Sequence, residues 1–558
     1  AGRGRGDGCR RSSRGRRPRL RGVDPSLRAA PGLLRRPALS RGRRGAAADA
    51  EREGAEVRAA RARRHRQDLG PRGRRRRRPP VSAFAGEPSA GEWLRRLAGG
   101  DVSSRELAQR CLDRLESANS RVNAVTHVDP DRVLADAAEA DRARAVGADG
   151  ALLGLPVTVK DSIAVAGAPR RCGSFARADD VPTEDATTVA RARAAGAVVL
   201  AKTTTPEYMW SYETESALHG RTLNPLDAAR TSGGSSGGEG ALIGAGASPL
   251  GLGTDGGGSI RVPSHYCGIV GHRPSARLVP ETGVWPSTRE TGFVDMSTIG
   301  PMGRSVADVA LLLGLIVGGD DTDPFVAPFV LPDFRTIDVQ GLRIGFYDAD
   351  GAWPPTDGTR ATVRRAVEAL EEAGAAVAET VPPPLEEANE IFFRMMAADG
   401  GARARADLAA AGGRHVAQLD WLLGDLAQYE LSISDYFAMV ERWAAFRSRM
   451  QRFVAGFDVV VAPVTPGPAP LHGCRPGDDE PGETYLPWVN LMAYSIGGLP
   501  VTVVPVASER GLPLGVQVIA RPFHDHVALA AASAIEEATG GYAAVTVPLL
   551  ESRQKEER

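Results

Sequence analysis

The sequence predicts an α/β protein: a mixed, mostly parallel twisted sheet covered by helices on both faces. Three observations carry this. Helix-period patterns alternate with short β-branched runs along the chain from about Phe84. The runs are bounded by glycine and turn residues, as in "LLGLPVTVKDSIAV" and "FDVVVAPV". No stretch reaches the 18 or so apolar residues of a membrane span.

The first 80 residues stand apart. They hold 27 arginines, no lysine, seven acidic residues and no Phe, Tyr or Trp. The chain's net charge of +1 therefore averages about +20 in this segment with about −19 in the rest. Such a segment cannot bury enough apolar surface to offset the entropy of ordering, so disorder is expected. Non-specific phosphate binding, a targeting leader and a non-native extension of a GC-rich reading frame are the three readings, the last preferred. Residues 1–80 are set aside from the fold. A folded domain is expected over 81–545, with a C-terminal tail at 546–558.

The elements follow in order. In "DVSSRELAQRCLDRLESA", Ser103 and Glu106 have capping-box spacing, and Leu107, Cys111, Leu112 and Leu115 share one helix face. A second helix is expected at about 131–146. "LLGLPVTVKDSIAV" reads as a buried strand running into a loop. "EDATTVARARAAGAVVLAKTTTPEY" reads as a helix ended by Gly196, then a strand over 197–201. Residues 231–271 are dense in Gly and Ser with little periodicity. "VALLLGLIVGG" from Val309 follows "GRSVAD", a helix start, and reads as a buried helix. "RATVRRAVEALEEAGAAVAETV" is a helix, a glycine stop and a strand. "FDVVVAPV", "GLPVTVVPV" and "LPLGVQVIARPF" are three strands, and "HVALAAASAIEEATGG" a closing helix. No internal repeat is present. The five cysteines show no CxxC spacing, which points to a reducing cytoplasm rather than a disulfide framework or a zinc site.

One residue type is out of character. Of 69 basic residues only three are lysine: Lys160, Lys202 and Lys555. Arginine stays protonated in any protein environment, whereas a buried lysine can lose its proton. Lys160 ends the apolar run "LPVTV", where burial suits a neutral amine; neutrality near pH 7–8 needs a pKa fall of about 3 units, about 4 kcal/mol. The plain alternative is a structural pair with Asp161. Lys202 ends "VVLA" and reads as structural.

The glycine-serine segment offers the chemistry. "GLGTDG" (Gly251 to Gly256) matches GxGxxG, but no convincing helix follows and 271–276 holds no acid, so a dinucleotide site is rejected. "GGSSG" around Ser235 matches GxSxG, but "NPLDAAR" before it is not a strand. "DGGGS", Asp255 to Ser259, fits better. Glycines let several N–H groups converge as an anion nest, and a serine nucleophile at Ser259 would use them as its oxyanion site. Ile260, Val262 and Pro263 directly after the run argue against a linker. The base would be His265, six residues on, or a neutral lysine acting through a second serine. Lys160, the pair Ser235 and Ser236, and Ser259 supply that second set. Asp255 and Arg261 read as a bracing pair. His524 and His526 lack further ligands, so no metal is expected.

The motifs "GLPVTVKDS", "GAVVLAKTTTPEY", "SGGSSGGEGALI" and "GLGTDGGGSIRVPSHYCGIVGHRPS" resemble the amidase signature family over roughly 85–545. The wording "GGSSGGEGALIGAGASPLGLGTD" is most similar to its fatty acid amide hydrolase branch. The resemblance implies the amidase signature fold and a Ser–cis-Ser–Lys triad. Ser259 would be the nucleophile, Ser235 the bridging serine after a cis peptide bond, and Lys160 the base. Gly256, Gly257, Gly258 and Ser259 would form the oxyanion loop, with Ser236, Asp255 and Arg261 in support. The implied reaction is hydrolysis of a linear carboxamide to an acid and ammonia or an amine through an acyl-enzyme. No cofactor is implied. The expected partner is a small-molecule amide, with no specific nucleic acid and no membrane span; a homodimer is left open. Gly256 stands where many relatives carry a larger residue. The anchoring helix of some fatty acid amide hydrolases has no counterpart in the arginine-rich tail. The alternatives are a component of a glutamine-dependent aminoacyl-tRNA amidotransferase complex, which shares the triad, and a Ser-His hydrolase using His265. "IFFRMMA" and "YFAMVERW" read equally as acyl-pocket lining and as core.

Overall fold

Every strand predicted from the sequence is present, and together they build one large sheet. The computed structural model describes residues 86–287, 295–351, 354–410, 412–473 and 488–546. The arginine-rich segment 1–80, the start near Phe84 and all of the tail but Thr546 lie outside the described residues. In chain order the strands are β1 (Val125–His127), β2 (Pro156–Lys160), β3 (Val198–Thr203), β4 (Glu215–Ser216), β5 (Gly220–Arg221), β6 (Leu250–Asp255) and β7 (Val270–Arg273). They continue as β8 (Thr298–Gly303), β9 (Arg343–Phe346), β10 (Ala376–Glu379), β11 (Val459–Pro463), β12 (Val501–Glu509) and β13 (Leu512–Ala520).

β4 and β5 form a small hairpin; the other strands form an 11-stranded sheet in the order β1-β3-β2-β6-β8-β7-β12-β13-β11-β9-β10. The sheet is mixed. Its parallel pairs are confined to two groups, β3-β2-β6 and β11-β9-β10. Between these groups the pairing is antiparallel, as is that of the edge strand β1.

Alternation along the strands sorts side chains to two faces. Val459 and Val461 of β11, Val504 and Val506 of β12, and Val516 and Val518 of β13 join one core, with Ala528, Ala531 and Ile535 of the helix Asp525–Thr539. Val460, Val501, Val503 and Ile519 join another, with Val262 of the helix Arg261–Cys267. Strands covered on both faces explain why these runs read as continuously apolar.

The local signals act as their chemistry dictates. Ser103 Oγ accepts the Glu106 N–H at 3.1 Å and Glu106 Oε2 accepts the Ser103 N–H at 2.9 Å, which closes the capping box of the helix Ser104–Val122. Helices Pro130–Ala145, Thr187–Ala194 and Asp357–Glu372 stand where expected. The apolar run after Ser305 is the buried helix Val306–Ile316. Among the described residues no helix is long and apolar enough to cross a membrane. Thr546, the first residue of the expected tail, is buried and its hydroxyl donates to Gly268 O at 2.6 Å.

The glycine-serine segment corrects one expectation. It contains a helix (Gly237–Gly244), β6 and a second helix (Arg261–Cys267), so a helix does follow the glycine run. Both helices are short and buried at every position, so neither has a polar face to produce periodicity. The dinucleotide reading still fails, because "GLGTD" is itself strand β6 and not the turn after one.

Candidate active site

β2 is buried along its length and ends at Lys160, whose side chain has no solvent exposure. Its Nζ lies 2.7 Å from Ser235 Oγ, 2.9 Å from Ser236 Oγ and 2.8 Å from Thr254 Oγ1. Burial pushes the amine down to about 7, against the opposing pull of the nearby Asp255 and Glu239 carboxyls. The three polar partners are hydroxyls, which can donate as well as accept. A neutral amine is thus accommodated here without leaving a buried charge.

Ser235 and Ser236 lead into the helix Gly237–Gly244, and the Gly234–Ser235 peptide bond is cis. No strand precedes them, so the nucleophile-elbow geometry is absent. Ser236 Oγ is 3.2 Å from Thr254 O and 3.3 Å from Thr254 N, which ties the serine pair to β6. β6 alternates Leu250 and Leu252, packed in the core, with Gly251 and Gly253 facing the helix. A Cβ at Gly251 would sit 2.0 Å from Glu239 Oε2, so glycine is required for this approach.

The turn after β6 is built around Asp255. Its carboxylate accepts the N–H groups of Gly258 at 2.7 Å, Ile260 at 3.1 Å and Arg261 at 3.3 Å. Arg261 adds a two-pronged ion pair, Nε and Nη2 each at 3.0 Å from a separate carboxylate oxygen. Burial alone would raise the Asp255 carboxyl, but Arg261, with Arg273 behind it, holds it down at about 2. The bracing pair is therefore as expected in geometry. One oxyanion donor is not: the Gly258 N–H points to Asp255 and is already used. Ser259 is partly exposed, and its carbonyl accepts the Ser236 N–H at 3.1 Å.

The other singled-out residues lie elsewhere. His265 is buried; Nδ1 accepts the Gly515 N–H at 3.0 Å and Nε2 faces Gly467 O at 3.1 Å. Burial lowers it to about 4. Both ring nitrogens are engaged with backbone, so it is a structural histidine. Lys202 Nζ donates to the backbone oxygens of Ile163 and Asp161. Among the described residues no group of His, Cys, Asp or Glu is placed to hold a metal ion.

Further residues at the site were not anticipated. Thr254 Oγ1 bridges Lys160 and Met209 Sδ, the sulfur at 3.3 Å. The Tyr212 hydroxyl donates to Gly257 O and fixes the glycine turn. Glu239 is buried beneath Lys160, bonded to two threonines. Tyr208 and Met209 carry φ of 56° and 63°, a left-handed geometry that side chains resist and no pattern announces.

Ser235, Gly256, Gly257 and Ser259 open into a cavity of about 410 Å³. Its apolar wall includes Phe392, Phe393, Met395 and Met396 of the helix Glu387–Met396, with Leu422 and Met492. Asp399, Arg403 and Asp407 also line it. "IFFRMMA" thus lines the cavity. "YFAMVERW" does not; Met439 is buried in the core that Tyr436, Val440 and Trp443 pack against.

A family model described as Amidase matches residues 106–529. A glutamyl-tRNA(Gln) amidotransferase subunit of Roseiflexus castenholzii is 35% identical over 471 residues, 79% of this chain and 94% of that protein. Its namesake from Moorella thermoacetica is 34% identical over 468 residues, with the same coverage of 79% and 94%. Among solved structures, a bacterial aryl acylamidase of the amidase signature enzymes aligns with a TM-score of 0.75 at 26% identity, over 84% of this chain and 99% of that one. A fatty acid amide hydrolase shares the fold, with a TM-score of 0.74 at 23% identity over 82% and 86%. A lysine buried against a serine pair, a braced glycine turn ending in serine, and a family match across the residues that hold them lead to one assignment: the chain belongs to the amidase signature family.

Proposed function

We propose that the protein hydrolyses a carboxamide C–N bond, with Ser259 as nucleophile, Ser235 as bridge and Lys160 as base. The observation that carries this reading is the fully buried Lys160 amine, 2.7 Å from Ser235 Oγ. The neutral amine takes the Ser235 hydroxyl proton as Ser235 takes that of Ser259. The Ser259 oxygen then attacks the carbonyl carbon. Gly256, Gly257 and Ser259 supply N–H groups to the resulting oxyanion, each such donor being worth about 10²–10³ in rate. Collapse breaks the C–N bond, and the proton held by Lys160 returns through Ser235 to the leaving nitrogen. Water enters by the same relay, cleaves the ester and frees the acid.

The cavity wall supports an apolar acyl group. Phe392→Ala should raise KM for long-chain or aryl amides roughly tenfold, the scale of a lost hydrophobic contact, and leave acetamide turnover nearly unchanged. Kinetics over a graded amide series check it; equal losses for all chain lengths would place the acyl group elsewhere.

A second reading is a component of a glutamine-dependent amidotransferase complex, favoured by the names of the sequence relatives. One experiment separates the two. The purified chain alone should hydrolyse simple apolar amides, and a fluorophosphonate should label Ser259. Turnover of glutamine only, and only with partner proteins, supports the second reading. Labelling of Ser235 or Ser236 overturns the assigned roles.

A further inference from the structure

Glu239 is buried under the proposed base and takes no part in the relay described above. It sits on the helix Gly237–Gly244, within one turn of the serine pair. Its Oε2 accepts the Thr158 hydroxyl at 2.6 Å and its Oε1 accepts the Thr203 hydroxyl at 2.9 Å. Both threonines belong to Lys160's own neighbourhood. Thr158 lies two residues before it on β2 and so faces the same side of the sheet. Thr203 is its register partner on β3. The carboxyl is therefore pinned to the strand positions beside and opposite the lysine, on the lysine's face. The missing side chain at Gly251 of β6 makes room for it.

Resting on the amidase reading, we propose that Glu239 is a positioning residue whose charge contributes to how readily Lys160 gives up its proton. A carboxylate in this place holds the ammonium form; a neutral group frees the amine. Other charges face the pair from each neighbouring element. β2 is followed by Asp161, which accepts the Thr126 hydroxyl at 3.2 Å and the Arg171 N–H at 3.1 Å. β3 carries Lys202, committed to backbone oxygens. β6 ends at Asp255, committed to Arg261. Cys172 is buried, which pushes its thiol up to about 12, so it stays neutral. Asp161, Lys202 and Asp255 thus each have fixed partners of their own. Burial likewise raises Glu239, to about 7, against the two threonine bonds and the two lysines.

The chain has three lysines, so ε-¹³C-lysine labelling can follow Lys160 directly, assigned by its loss in Lys160→Met. Glu239→Gln keeps the shape, and Thr158 retains Ser248 Oγ and Leu250 O as alternative partners at 3.1 and 3.4 Å. Expected is a Lys160 midpoint lower by about 1 unit, with the acid limb of kcat/KM moving by the same amount. Thr203→Val, which removes one donor from the carboxylate, should move both in the same direction by less. It serves as the test if Glu239→Gln does not fold. A Lys160 midpoint near neutrality that neither variant moves overturns this proposal and leaves the amidase reading standing. A wild-type Lys160 that does not titrate near neutrality removes both.

Discussion

Lys160→Arg is expected to be as inactive as Lys160→Met, each losing about 10²–10⁴ in kcat, the usual worth of a general base. Arginine keeps the charge of a lysine but cannot act as a neutral amine. In the unaltered protein kcat/KM should rise with pH through about 7, as the buried amine deprotonates, and this limb should vanish in both variants. Near-normal turnover by Lys160→Arg would sink the mechanism, and His265 offers no replacement because both ring nitrogens are engaged. The same burial links to stability. The folded-state value, about 7, lies below the ordinary 10.5, so the unfolded chain binds the extra proton between these pH values. Stability from this group is present above 10.5 and lost as pH falls through 7. Lys160→Met should remove a slope of about 1.4 kcal/mol per pH unit across that window, measured by denaturant unfolding of both proteins.

Asp255→Ala should be the most destabilising single change at the site, by about 3–5 kcal/mol, because it leaves buried Arg261 and Arg273 without their shared counter-charge. It also frees the Gly258 N–H, so activity should fall even where the protein remains folded. Asp255→Asn, which keeps the shape, should lose less stability. The carboxyl is held at about 2 against an ordinary 3.8, so its contribution is present above pH 3.8 and lost as pH falls through 2. Thermal melts of the three proteins at pH 7 and pH 3 check this. A melting temperature for Asp255→Ala within a degree of wild type would show that the two arginines find other partners.

Much of this site was legible because it rests on covalent spacing. Lys160 at the end of "LPVTV" and Ser259 after three glycines declare themselves by residue type. Strands covered on both faces were legible for the same reason: "VVVAP" and "LPLGVQVIA" are apolar at nearly every position. What stayed hidden depends on contacts between distant segments. Tyr212 reaches Gly257 across 45 residues of chain, and Glu239 reaches Thr158 across 81. The two helices of the glycine-serine segment were hidden because burial on all sides erases the periodicity that reveals a helix. The commitment of the Gly258 N–H to Asp255 is a matter of ångströms, which no spacing encodes.

The reacting floor of the cavity and its apolar wall come from different stretches of chain. Lys160, Ser235, Thr254 and Ser259 all lie within 160–259, on or beside strands of the sheet, whereas Phe392, Phe393, Met395, Met396, Leu422 and Met492 come from later helices. On the proposed reading, selectivity and reactivity are thus carried by separate stretches of chain. Recutting the helix Glu387–Met396 would, on that reading, change which amide fits without touching the residues of the proposed relay. Adding even a methyl group at Gly251 runs into Glu239 at once.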